Sequence, residues 1–325
     1  MEKKSNTAKK IGKALLQKPE MGTLLPLAIL MIAVAIVNMN FFNVSNILDI
    51  LRTASFSFIV AVPITFLMSA GGMDLSIGAV TSFGGIICAF CLKAGLPIPV
   101  AVLVAIAAGC VAGFLNGVII VRFALPAFIA TLGMQYVVNG IIAVTTEALA
   151  ISGFSGGFKA LSQTRIGGVV PMPVVYALVI GVAGHIVLSR TKFGRSVLAI
   201  GGNRETAYLS GINVNAKQIL VYTAVGGFSA LSGILIASRF ATAQPAAGTG
   251  TELTIMASVI IGGTSMFGGQ GTIIGSALGC ILFATITNAL IIMGVSTFWQ
   301  NLIFGIILLI AIFIDKYRRK TGGEE

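Results

Sequence analysis

RTKFGRSVLAIGGNRETAYLSGINVNAK, residues 190–217, is the longest polar interruption between two apolar runs in this chain. Within it, GGNRETAYLSG (201–211) has the parts of one short helix: a flexible Gly201-Gly202 lead-in, Asn203 as N-cap, Glu205 in the first turn and Gly211 at the stop. A helix that short is unstable alone. It is expected to rest on whatever the flanking apolar sequence builds.

That sequence builds a membrane protein. Of 325 residues, 56% are hydrophobic and only 10% charged, with a mean hydropathy of +1.00, whereas soluble domains carry about 25% charged residues. Apolar runs near the roughly 20 residues needed to cross a hydrocarbon core recur along most of the chain. The alternating pattern of a barrel strand is missing, so the runs are read as helices that satisfy their own backbone hydrogen bonds. The fold expected is an all-α polytopic membrane protein. Its ten spans lie near 21–39, 53–71, 74–92, 98–121, 127–148, 172–189, 218–239, 252–264, 272–293 and 298–314. The eighth is short, is followed by GGTSMFGGQG, and reads as broken or tilted and shielded by neighbours. Residues 1–20 form a basic tail, 21–314 one transmembrane domain carrying the polar loop 190–217, and 315–325 a second tail. The first run ends in VNMNFFN rather than a small-residue cleavage site, which favours an uncleaved helix over a signal peptide.

The net charge of +11 reports orientation rather than nucleic-acid binding. Six lysines lie in the first 18 residues, one arginine at Arg122, five basic residues from Arg190 to Lys217 and four after Asp315, sixteen on one side. Only Arg52, Lys93, Lys159, Arg165 and Arg239 fall on the other. Both termini and the 190–217 loop are therefore expected in the cytoplasm.

Two short stretches repeat. GGMDLSIGA (71–79) and TGTELTIMA (249–257) share glycine, any residue, acid, leucine, hydroxyl, isoleucine, and each opens the third span of a five-span set. Five is odd, so the sets would run oppositely through the membrane as two five-helix halves of an inverted repeat. The acids of these stretches, Asp74 and Glu252, are read first as helix caps meeting the dipole and second as groups on a solute path. Neutral polar residues deep in spans, Asn116, Thr131, Gln135, Asn139, Thr285 and Asn288, can line such a path without a buried charge, or hydrogen-bond helix to helix.

Other features narrow the class. Gly113 with Gly117 and Gly275 with Gly279 are G-x-x-x-G spacings that favour close helix packing. Cys88, Cys91, Cys110 and Cys280 sit in apolar runs and read as reduced small hydrophobes; the C-x-x-C pair has no second half for a zinc site, so no metal is expected. His185 has no acid grouped with it, and no nucleophile, base and acid assemble at one depth, which argues against an enzyme. There is no phosphate-binding loop, and hence no ATP hydrolysis by this chain itself.

ETAYLSG (205–211) resembles the glutamate-alanine-alanine, three residues, glycine motif of permease subunits in bacterial ATP-binding cassette importers, with Thr206 in place of the first alanine. GGMDLSIG (71–78), PAFIATLG (126–133), FGRSVLAIGGNRETAYLSGINV (193–214) and IIGGTSMFGGQGTIIGS (260–276) resemble the permease family for ribose, galactose, xylose and related monosaccharides, across roughly residues 41–314. Pro63 stands where that family more often has glycine, which puts the shape of the permeation path, not the family, in question. The resemblance implies a permease in a bacterial cytoplasmic (inner) membrane that moves a ribose-like pentose or hexose inward by alternating access. It implies a second permease copy, a cytoplasmic ATPase holding ATP and Mg, a periplasmic or lipid-anchored sugar-binding protein, and no cofactor on this chain. Residues 203–211 become the coupling helix: Asn203 as cap, Arg204 and Glu205 as charges for the ATPase surface, Thr206 in the motif, and Ala207, Ser210 and Gly211 as small residues that allow close docking. The alternative reading of the same composition is an ion-coupled secondary transporter of a small polar solute.

Overall fold

The computed structural model describes residues 21–296 and six isolated helical positions, Trp299, Leu302, Ile303, Gly305, Ile306 and Leu309. The tail 1–20, the tail 315–325 and, those six positions apart, the tenth expected span 298–314 lie outside the described residues. Helices α1 (Met21–Val37), α2 (Val44–Ser69), α3 (Ile77–Lys93), α4 (Ile98–Arg122) and α5 (Ala127–Thr146) come first, with a single 3-10 turn at Met39–Phe42. After them come α6 (Gly156–Gln163), α7 (Met172–Arg190), α8 (Lys192–Gly202), α9 (Arg204–Leu209), α10 (Val214–Phe240), α11 (Thr251–Ile261) and α12 (Ile273–Ile292). Among the described residues, α2, α4, α5, α7, α10 and α12 are long and apolar enough to cross a membrane. The apolar helices of α1, α3 and α11 are shorter. At a rise of roughly 1.5 Å per residue, the 11 residues of α11 reach only about 16 Å. Its buried positions, from Glu252 to Ile260, are shielded by neighbouring helices, as irregular ends at membrane depth require.

The chain is not purely helical. Ile151–Ser152 (β1) pairs antiparallel with Thr242–Ala243 (β4), and Arg165–Ile166 (β2) with Val170–Pro171 (β3). With α6, β1 to β3 lie on the connection between α5 and α7 and β4 on that between α10 and α11, both of which sequence reading left as loop. Ser155 caps α6 by accepting from the Phe158 N–H, and Phe158 and Ser162 face inward on it. The Ser162 hydroxyl donates to the Leu235 carbonyl at 2.7 Å, and that of Ser238 to the Phe158 carbonyl at 2.8 Å, tying α6 to α10.

Burial separates the helices into inner and outer sets. The second half of α2 is closed off completely, with Ile59, Val60, Ala61 and Ile64 fully buried, and α10 and α12 are mostly interior. By contrast α4, α5 and α7 expose large apolar residues such as Leu103, Val137 and Val182 along one side. Pro63 lies inside an uninterrupted α2 and is itself buried. What lets α10 take the interior is its run of small residues. A Cβ on Gly113 would collide with the Tyr222 carbonyl, one on Gly226 with the Gly109 carbonyl, one on Gly84 with the Ala230 backbone and one on Gly233 with the Thr81 carbonyl. Helix α10 therefore sits backbone to backbone between α3 and α4. The other G-x-x-x-G pair acts the same way on α12, where Gly275 meets the Gly262 carbonyl and Gly279 the Ser258 carbonyl of the α11 segment. Hydroxyl contacts join the inner helices further: Ser232 donates to the Phe56 carbonyl at 2.9 Å, and the Thr65 and Ser276 hydroxyls meet at 2.7 Å.

These contacts give a direct test. Replacing Gly113 or Gly226 by valine forces the α4 and α10 backbones apart, and the loss of stability is expected to reach or exceed the roughly 1–3 kcal/mol typical of core overpacking. Gly133, which has open space where its Cβ would stand, is the control, and Gly133→Ala should leave stability unchanged or raised. The thermal midpoint of the purified protein in detergent reads the difference; equal midpoints for G113V and G133A would refute it.

Candidate functional site: a buried polar cluster and an exposed helical loop

The two repeated stretches meet inside the bundle. A Cβ on Gly78 would clash with the Glu252 carboxylate and the Gly248 carbonyl, and one on Gly248 with the Gly78 carbonyl. They differ in local form, however. Glu252 is the second residue of α11, whose N-cap is Gly250, so its carboxylate stands in the first turn where the helix dipole favours it. Asp74 lies in irregular chain two residues ahead of the α3 N-cap, Ser76. The expectation that Asp74 caps the helix is corrected. Its Oδ1 accepts from the Ser76 N–H at 2.8 Å and the Ser76 hydroxyl at 2.6 Å, an Asx-turn that shapes the chain before the helix starts.

Around these acids the structure gathers three of the six neutral residues singled out from sequence. Asn116 of α4, fully buried, donates its Nδ2 to Ser76 Oγ at 2.8 Å and to Asp74 Oδ2 at 3.4 Å. Thr131 of α5 accepts from the Leu75 N–H at 3.1 Å while donating to the Ala127 carbonyl. One turn further along α5, Gln135 donates to Glu252 Oε1 at 3.3 Å. The other three are elsewhere. Asn139 is exposed on α5. Thr285 is buried and bonds back to the Ile281 carbonyl of its own helix. Asn288 makes a reciprocal amide pair with Asn46, at 2.8 and 3.1 Å, which joins α12 to the start of α2.

Sequence reading missed two supports of the cluster. The Tyr222 hydroxyl, on a fully buried ring, donates to the Met73 carbonyl at 3.1 Å and so holds the irregular chain beside Asp74. Ser76 is the common partner of Asp74 and Asn116. Nothing in its local sequence marks it, since it stood only as the hydroxyl of the repeat. The assembled cluster offers two carboxylates, two amides and two hydroxyls in one buried region, with Asn116 Oδ1 a buried acceptor lacking a protein partner. Such a set can exchange hydrogen bonds with a polyhydroxylated solute.

The loop after α7 is built of two helices at an angle. Thr191 caps α8 through the Gly194 N–H, and Asn203 caps α9 by accepting from the Thr206 N–H at 2.8 Å. At the far end Gly211, with φ +80°, lets the Gly211 N–H reach the Tyr208 carbonyl and the Ile212 N–H reach the Ala207 carbonyl, a Schellman close. The cap and the stop agree with sequence reading. Two other expectations do not. Gly201-Gly202 is no flexible lead-in but the last turn of α8, and a Cβ on Gly201 would strike the Ser69 carbonyl and the Gly269 N–H. Those two atoms hydrogen-bond to each other at 2.9 Å, so α8 is seated on the end of α2 and on the 262–271 loop. Ala207 is buried within the protein, unavailable for outside docking. The exposed face of α9 consists of Arg204, Glu205, Thr206, Tyr208, Leu209 and Ser210, with Tyr208 and Leu209 69% and 77% exposed. Arg204 reaches Asn215 Oδ1 at 3.3 Å.

Removing the shared donor should unsettle the buried cluster. Asn116→Ala leaves Asp74 and Ser76 short of a partner and is expected to lower stability by about 1–3 kcal/mol, with Asp74→Ala at least as large. Thr285→Val, which deletes only a bond within one helix, should shift the thermal midpoint far less. Equal shifts for N116A and T285V would mean that the cluster contributes nothing.

With this geometry in view, known proteins offer a comparison. A family model described as Branched-chain amino acid transport system / permease component matches residues 46–312. The chain is 36% identical over 321 residues to the ribose import permease protein of Haemophilus influenzae, covering 98% of each chain. It is 36% identical over 299 residues to the ribose import permease protein of Bacillus subtilis, covering 91% of this chain and 92% of that one. To the D-allose transport system permease protein of Escherichia coli K12 it is 32% identical over 277 residues, 85% of each. No solved structure matches the chain.

Proposed function

The chain belongs to the Branched-chain amino acid transport system / permease component family, and on that premise we propose that it is the membrane subunit of an importer that brings a monosaccharide, a ribose-like pentose or a hexose, into the cytoplasm. It is a multi-pass membrane protein and a permease subunit rather than an enzyme. The observation that carries the sugar assignment is the collinear similarity to a ribose import permease over 98% of both chains. Energy comes from ATP and Mg on a separate cytoplasmic ATPase, and a periplasmic or lipid-anchored binding protein delivers the sugar to a pair of permease copies.

In this reading residues 21–314 form one permease domain of ten spans in a bacterial inner membrane, with both termini and the 190–217 loop inside. The two five-span halves are an inverted repeat; the meeting of Gly78 with Gly248 and Glu252 supports it. The cluster of Asp74, Asn116, Thr131, Gln135 and Glu252 lines or borders the sugar path, with Asn139 on the same helix. Thr285 and Asn288 serve helix contacts instead. Residues 203–211 form the coupling helix, and its contact face is Glu205, Tyr208 and Leu209, an acid beside exposed apolar surface. Seating of Gly201 against Ser69 supports the transmission of that helix's displacement to the end of α2, five residues before Asp74.

The import reading is tested in proteoliposomes holding the permease with its ATPase, supplied with the loaded binding protein and labelled ribose, allose or galactose. Uptake should require ATP and survive an ionophore; uptake abolished by the ionophore and indifferent to ATP would establish ion coupling instead. Within the same complex, Leu209→Asp and Glu205→Lys should leave permease abundance normal, remove the copurifying ATPase and stop uptake. Normal transport by both would disprove the coupling face. A label on Lys159 should react from outside and one at Arg204 only after permeabilisation; the reverse would invert the threading.

A further inference from the structure

Between α2, α7 and α10 runs a groove of about 360 Å³, walled by Pro63, Phe66, Ala183, Val187, Phe193 and Val221 and carbon over nearly its whole surface. That is the size of a small ligand pocket, roughly 300–1,000 Å³. The polar cluster and the 203–211 face use none of these residues. Along α7 the groove is continuous with exposed Leu178, Val179, Val182 and Ile186, a surface that faces hydrocarbon if α7 spans the membrane.

One end of the groove is cationic. Lys217 stands one turn before Val221 on α10, and its Nζ lies 4.9 Å from the centre of the Phe193 ring, which in turn lies 6.1 Å from Phe66. Arg190 stands one turn beyond Val187 at the end of α7, at the same end of the groove as Lys217 at the start of α10. Lys192 and Arg195 follow on α8, and the single acid between residues 190 and 217 is Glu205, on α9. An apolar trough closed by basic side chains at the membrane-water boundary matches an amphiphile with an anionic head. Its wall, apart from those cations, gives a protein partner almost no hydrogen-bonding group to recognise.

We propose that this groove is a binding site for an anionic glycerophospholipid, one acyl chain lying along Pro63, Ala183 and Val187 and the phosphate held by Lys217 with Arg190 beside it. The site rests on the reading that α2, α7 and α10 span a membrane, and not on the identity of the transported solute. Lysine and arginine near an anionic leaflet attract such lipids additively, and the aliphatic stem of Lys217 can lie on Phe193 while its charge reaches the boundary.

The full-length protein, purified in non-ionic detergent, is incubated with phosphatidylglycerol or with phosphatidylcholine of the same acyl chains and weighed intact by native mass spectrometry. One phosphatidylglycerol per protomer should be retained in preference to phosphatidylcholine. Lys217→Glu should reduce that retention by roughly fivefold or more, and Ala183→Trp, from the exposed wall of the groove, should abolish it, with thermal midpoints unchanged. If A183W fails to fold, Lys217→Gln gives the same reading through charge alone. Equal retention of both lipids, or retention unaffected by the variants, overturns the proposal. So does a disulfide between copies of A183C in native membranes, which would make the groove an interface between permeases. Sugar uptake measured in parallel separates the two readings: selective lipid retention without uptake sinks the importer assignment, and uptake without selective retention sinks the lipid site.

Discussion

Backbone contact between α10 and the helices α3 and α4 is the constraint on which the other features depend. In lipid there is little hydrophobic gain in bringing two apolar helices together, so association relies on van der Waals packing and hydrogen bonds at short range. Gly109, Gly113, Gly226 and Gly233 remove the side chains that would keep the axes apart. With α10 drawn in, Tyr222 reaches the Met73 carbonyl and fixes the irregular chain that carries Asp74. The polar cluster is thus a consequence of small residues on α3, α4 and α10. Its acids are kept in place by Ser76, Asn116 and Gln135, while Asn116 Oδ1 and Glu252 Oε2 stay buried without a protein partner.

The loop between α7 and α10 follows the same logic at the membrane edge. Alone, a helix of six residues has no stability. Here it is held by an amide cap at Asn203, a left-handed glycine at Gly211 and the burial of Ala207, while Gly201 seats the preceding helix on the Ser69 carbonyl. The result is a rigid projection whose outward side is charged and apolar and whose inward side abuts α2. Glycine at 201 serves close approach to the Ser69 carbonyl rather than bending.

Single-sequence reading did best where the signal is local. Asn203 and Gly211 were legible as cap and stop because capping is decided by neighbours within one turn. The shortness of α11 was legible from GGTSMFGGQG. Reading failed where distance along the chain is large: Ala207 is turned inward only because α9 lies against the bundle, and Asn288 meets Asn46 across 242 residues. The helix Gly156–Gln163 was missed since its apolar face, carried by Phe158, is too short to stand out in a window.

By itself the sequence determined the solvent of this protein, the helical nature of its described spans, their boundaries to within a few residues except the start of α2, which begins at Val44 rather than near 53, and the caps of the loop at 203–211. Each of these depends on transfer of apolar surface or on hydrogen bonds made within a turn, both properties of a contiguous segment. Tertiary structure alone decided which polar groups share a site. Asp74, Asn116, Thr131 and Glu252 lie on different segments, and whether they meet is set by how closely helices can approach and how each is rotated about its axis. That depends on glycines facing one another from distant parts of the chain, a pairing that no local window contains.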